Sequence, residues 1–152
     1  MADLSDGQIP IVANVPNGGV AVITAGGAVV TLGSDTNGVI CYTAGAQGGR
    51  VLSLTGVTDD TVTSNIFVYI KRSSTVIPLG LVNIPLSSGN TNAARFNVDF
   101  LDGVNIVGLP VDNTGKRYIP LMPNDQLKVG SLAALTAAKS AWISAHGADY
   151  QP

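Results

Sequence analysis

Turn-forming residues cut this chain at such close intervals that short strands fit between them better than helices. Gly26-Gly27, Asp35-Thr36-Asn37-Gly38, the stretches 45–49, 87–92 and 112–115, Asp59-Asp60 and Pro123-Asn124-Asp125 are rich in Gly, Asn, Asp, Ser and Pro. Each of these residues favours a turn by backbone freedom, a fixed φ or a side-chain hydrogen bond to its own backbone. Between them lie runs rich in Val, Ile, Leu, Thr and aromatic residues at 20–24, 28–32, 39–43, 50–57, 66–71, 76–84, 94–101, 105–109, 117–121, 127–132 and 140–145. Many short strands at this spacing predict an antiparallel sandwich or barrel.

Composition agrees. All ten acidic residues are Asp, none is Glu, and 18 Gly and 8 Pro stand in a chain of 152 residues. Exposed helix faces favour Glu and Lys, and these are absent or scarce here. The length suits one domain, able to bury roughly 70% of its unfolded surface without a metal or a disulfide. Charged residues make up only 12% of the chain, about half of the ~25% usual for soluble domains. With a mean hydropathy of +0.33, this predicts a surface partly buried against partners. The competing reading is a neutral surface rich in Thr, Ser and Asn.

Several function classes lose support on charge and spacing. The net charge is −2 and the eight basic residues are scattered, with only Lys71-Arg72 and Lys116-Arg117 adjacent. A nucleic-acid partner therefore has no electrostatic footprint. The longest apolar stretch, 20–32, is broken by Thr24, Gly26 and Gly27, so no membrane span is expected. The acidic start Met1-Ala2-Asp3-Leu4-Ser5-Asp6 is unlike a signal peptide, and we expect a product made in the cytoplasm and soluble until it assembles. Residues 1–19, with Pro10, Pro16 and Asn17-Gly18-Gly19, read as an extended N-terminal arm, and 20–152 as the sandwich domain.

Periodicity assigns faces. Alternation within 51–55 puts Leu52 and Leu54 on one face and Ser53 and Thr55 on the other. In 95–100, Phe96, Val98 and Phe100 should point inward. Ile66-Phe67-Val68-Tyr69-Ile70 is apolar on both faces, as in a strand covered twice or lying in an interface. Pro78, Pro85, Pro110 and Pro120 belong at strand ends or edges. The segment 131–142 has a helical reading, but we favour a hairpin in which 127–132 returns through 140–145.

No constellation for catalysis stands out. His146 is the only histidine, and Cys41 or a serine with Asp149 would complete a triad. No nucleophile elbow or cysteine-protease context surrounds any of them, so His146 reads as a structural hydrogen-bonder and Cys41 as a small buried hydrophobe. Asp59-Asp60 with Thr61 and Thr63 offers oxygen atoms to Ca²⁺, yet lacks the spacing of a calcium loop and reads as a solvated turn. Gly45-Ala46-Gln47-Gly48-Gly49 has no following helix or Lys-Ser/Thr, so it reads as a hairpin turn and not a phosphate loop. Tyr42, Tyr69, Tyr118 and Trp142 are dispersed and are expected to be buried in packing. The expectation is a non-enzyme with no catalytic residue, no metal and no cofactor.

Against that background, Thr43-Ala44-Gly45 through Gly48-Gly49-Arg50-Val51 resembles a turn and strand common in small phage virion proteins. Thr58-Asp59-Asp60-Thr61 followed by 66–70, Val82-Asn83-Ile84-Pro85, Leu109-Pro110, 123–127 and the ending His146-Gly147-Ala148-Asp149-Tyr150 are similar to further segments of the same proteins. Asn124-Asp125 and Ala148 depart from that pattern, where glycines are usual. The resemblance implies a jelly-roll-like antiparallel β-sandwich without catalytic residues, acting as a capsid decoration or cement subunit. Its partners would be the major capsid protein and itself, as a homotrimer suited to three-fold positions, on the capsid surface of the virion. Phe67, Tyr69, Val76 and Pro78 are the candidate interface residues. The alternative is an adaptor at the tail, neck or fibre, or a receptor- or carbohydrate-binding module, which would need exposed aromatic side chains or clustered Asp and Asn on loops.

Overall fold

The computed structural model describes residues 13–27, 29–89 and 97–151. Among the described residues there is no helix, and the chain forms nine strands in two antiparallel sheets. The first sheet has the order β1 (Ala13–Thr24), β9 (Ser140–Tyr150), β3 (Gly49–Thr58), with β6 (Val98–Asp99) and β7 (Ile119–Leu121) both on the far edge of β3. The second has the order β2 (Val39–Thr43), β8 (Gln126–Ser131), β4 (Ser64–Arg72), β5 (Thr75–Ile84). Pairing is nested: β1 with β9, β2 with β8, β3 with β6 and β7, and β4 with β5. The chain is thus an all-β antiparallel sandwich, the class that turn spacing and composition led us to expect.

Between the sheets the core is apolar and closely filled. Ala21, Val51, Leu54, Ala141, Ile143 and Ala145 from the first sheet meet Ile66, Val68, Val82, Ile84, Leu127 and Val129 from the second. Phe100 packs beside Gly56 of β3 and Ile106 beside Gly80 of β5, both within this core. Gly56 on β3 makes room there: a Cβ at this position would lie 2.7 Å from Ile84 Cδ1 and 2.8 Å from the Phe100 ring.

Four sequence expectations are corrected by the fold. First, β1 begins at Ala13, so the part of the expected arm from 13 to 19 is sheet, in register with β9 from Ala13–Tyr150 to Thr24–Ser140. Pro16 is tolerated there because β1 is an edge strand. The rest of the expected arm, 1–12, lies outside the described residues, as do Ala28 and Phe96.

Second, 127–132 and 140–145 do form strands, but not a hairpin, because β8 and β9 lie in opposite sheets. The turn at 45–49 likewise carries the chain from one sheet to the other. Third, Leu52 and Leu54 do not share a face. Leu52 is the extra residue of a bulge opposite Gly147 and His146, which turns Leu52 outward and lets both Val51 and Leu54 point into the core.

Fourth, two expected strands are loops. Around 105–109 the Asp102 carboxylate accepts the Val104 and Asn105 backbone N–H groups, each at 2.8 Å. The Asn105 amide also donates to Asp99 O. These side-chain bonds take the place of ladder bonds. The described part of 28–32 lies across the outer face of β8 and β4, where Val30 is buried against Phe67 and Tyr69.

Candidate functional site

That covering segment decides the fate of the expected interface residues. Phe67 and Tyr69 are 2% and 0% exposed, stacked with ring centroids 5.0 Å apart beneath Val30. The doubly apolar run that made them interface candidates reflects a strand covered on both sides within its own chain, so they offer no surface to a partner. Val76 is half-buried against the same cluster, and Pro78 alone of the four is exposed.

Asp35 holds the covering segment in place. Its carboxylate accepts the Tyr69 hydroxyl at 3.1 Å and pairs with Lys71 at 2.7 Å and Lys128 at 2.6 Å. Burial pushes this carboxyl up, but the hydrogen bonds from Lys128, Lys71 and Tyr69 outweigh it and hold the group at about 2, below its ordinary 3.8. A third ion pair pins the β7–β8 turn. Arg72 binds Asp125 in a fork, Nε at 3.0 Å and Nη2 at 2.7 Å, and Asp125 also accepts the Met122 N–H.

The residues screened for chemistry are spread apart by the fold. Cys41 is buried with its thiol on Leu127 O at 3.3 Å, and burial pushes it up to about 12. His146 points outward from β9. Asp149 accepts from Tyr42 at 2.9 Å and Asn17 at 2.8 Å, and not from His146. The Asn17 amide also reaches Thr43 O at 2.9 Å, so this trio ties the first sheet to β2. Burial, followed by the neighbouring Asp149 carboxylate, pushes the Tyr42 phenol up.

The Asp59-Asp60 pair is a structural corner and not a solvated turn. Asp59 accepts the Ser140 N–H at 2.7 Å. Asp60, almost fully buried, accepts the N–H groups of Thr136 at 3.0 Å and Val62 at 3.3 Å. Burial pushes the Asp60 carboxyl up, yet the bonds from Thr136, Val62 and Thr61 prevail and lower it.

The outer face of the first sheet is open to solvent. Val22, Trp142 and Val57 stand in register across β1, β9 and β3, as do Val20, Ser144 and Thr55. Trp142 is 37% exposed, contrary to its expected burial; Val22 beside it and Val20 are exposed too, as is Leu52 at the far end of β3. The sequence signal was available: Trp142 alternates with Ala141, Ile143 and Ala145, all fully buried, so it had to face the other way. Tyr118 also escapes the core, lying half-buried with the Arg50 guanidinium 5.8 Å from its ring centroid.

Beside this face runs a groove of about 420 Å³, bounded by Leu52, Ser53, Thr55, Asp99, Lys116 and Arg117 among others. No family model matches the chain, and no curated protein matches it. Its own geometry carries the functional reading.

Proposed function

We propose that this chain is a structural subunit of a bacteriophage virion, a decoration or cement protein that stabilises the head by binding the major capsid protein in many copies. The observation that carries this reading is apolar surface on a charge-poor shell. Val104 and Val107 on the loop after β6 are 83% and 72% exposed, in a chain of which only 12% is charged. Asn105 and Ile106 between them lie against Gly80 of β5, so the pair flanks an edge strand that carries the exposed Leu81 and Pro78. We take these exposed apolar side chains as the surface that a partner covers.

The β5 edge itself is guarded. Pro78 cannot donate to a further strand, and the bulge between Val68 and Tyr69 on β4, with Leu79 as the extra residue of β5, bends the edge. Association there proceeds through side chains and not through sheet extension. Repetition over a symmetric shell makes weak contacts of this kind count, and self-association as a homotrimer would match three-fold positions. Quantitative mass spectrometry of purified particles of the encoding phage tests the proposal. The expected result is a copy number that is a multiple set by head symmetry; absence from the particle would overturn it.

A further inference from the structure

The fourth strand of the first sheet is split, and the split leaves a binding site. β7 pairs with Gly49, Arg50 and Val51, and β6 pairs with Thr55 and Gly56. Leu52 and Ser53, at the bulge, have no strand partner on that side. The chain between β6 and β7 loops outward and its residues 115–117 form the opposite wall of the groove.

The lining is polar, mixed in sign and largely unspent. Among the described residues, the Ser53 and Thr55 hydroxyls and the Lys116 ammonium make no hydrogen bond, and Asp99 uses only one carboxylate oxygen, on the Leu101 N–H at 2.9 Å. Arg117 lies against Gly103, where any side chain would collide with the guanidinium. One Arg117 donor is anchored on Asp102 O at 3.2 Å, which leaves the others for a ligand. Leu52 supplies an apolar wall.

We propose that this groove binds a short, uncharged oligosaccharide. Two cations balanced by Asp99 and Asp102 argue against a free anion or a nucleic-acid backbone. An extended peptide would add to the edge of β3, but β6 and β7 leave only Leu52 and Ser53 for it, too few for strand addition. A polyol needs closely spaced donors and acceptors with an apolar wall for its C–H face, and the groove offers these together. Its volume lies within the usual small-ligand range of roughly 300–1,000 Å³. Trp142 lies on the same face, two residues along β9 from Ser144, the partner of Thr55, about 7 Å along the strand. It extends the site by one stacking platform.

The test is a titration of the ¹⁵N-labelled protein with maltotriose, cellotriose and tri-N-acetylchitotriose at millimolar concentration. At least one should move the amide signals of Ser53, Thr55, Asp99, Lys116 and Arg117. Thr55→Val and Arg117→Lys, each well folded by its spectrum, should weaken that response about tenfold, while Leu86→Ser outside the groove leaves it unchanged. Silence to all three sugars, or a response indifferent to Thr55→Val and Arg117→Lys, overturns the proposal. Signals moved only by an uncharged pentapeptide would also overturn it and make the groove a peptide site. The outcome is independent of virion attachment, which the copy number on the particle reads separately.

Discussion

Asp35 joins three partners that are far apart in sequence, and its removal should be felt beyond its own loop. Asp35→Asn leaves Lys71 and Lys128 without their shared anion and should cost about 2 kcal/mol, the scale of hydrogen bonds to charged groups, measured by urea unfolding. The pH dependence has a definite sign. The folded carboxyl sits at about 2, below its ordinary 3.8, so its stabilisation is complete above pH 4 and is lost as pH falls toward 2. Asp60, also lowered, acts in the same direction. A wild-type protein whose unfolding midpoint is flat from pH 5 to 2 would contradict this account.

Gly56→Ala offers a second single-residue test. The added methyl meets Ile84 and Phe100 at 2.7 and 2.8 Å, and overpacking of this kind should cost about 2 kcal/mol. At this scale the sequence was readable where chemistry and burial coincide, as at Cys41. It was misleading at Phe67 and Tyr69, because a second apolar layer from the same chain looks, in sequence, like a surface meant for a partner. Leu52 was unreadable for a different reason: a bulge shifts the alternation by one residue, and no residue type announces it.

Among the elements, β1 shows how an edge strand is held at its weak end. Pro16 and Gly18-Gly19 give it poor strand propensity, and it persists because β9 pairs with it throughout and Asn17 bridges to Thr43 and Asp149. Asn17→Ala should therefore accelerate amide exchange in the first half of β1 by at least about tenfold, with β4 and β8 unaffected. Equal protection in both halves would show that the Asn17 bridge is not what holds the strand. Strand positions were legible wherever alternation or a doubly apolar run was strong: β2 matches its expected span from Val39 to Thr43, and β4 and β8 differ by two residues or fewer at each end. The failures at 28–32 and 105–109 have a common cause. Both runs are apolar enough for strands, but one covers a sheet face and the other is captured by Asp102 and Asn105.

For the whole molecule, the nested pairing explains why no hairpin joins β8 to β9 and why the first and last strands lie side by side, with Ala13 opposite Tyr150. The sandwich class was legible from turn spacing and the absence of Glu. Sheet membership was not, because alternation fixes which side of a strand is buried but not which strand lies beside it. Nor was the groove, which arises from a split strand and not from any motif. The central claim is that the charge-poor, apolar exterior exists to be covered in an assembly. The most direct measurement is binding of the purified chain to expanded capsids that lack it, with copies counted per particle and the paired variant Val104→Asp, Val107→Asp as control. The account predicts saturable binding at a symmetry-related copy number, lost in the paired variant although it stays folded. A wild-type chain that stays monomeric by light scattering and leaves the capsids bare would contradict it.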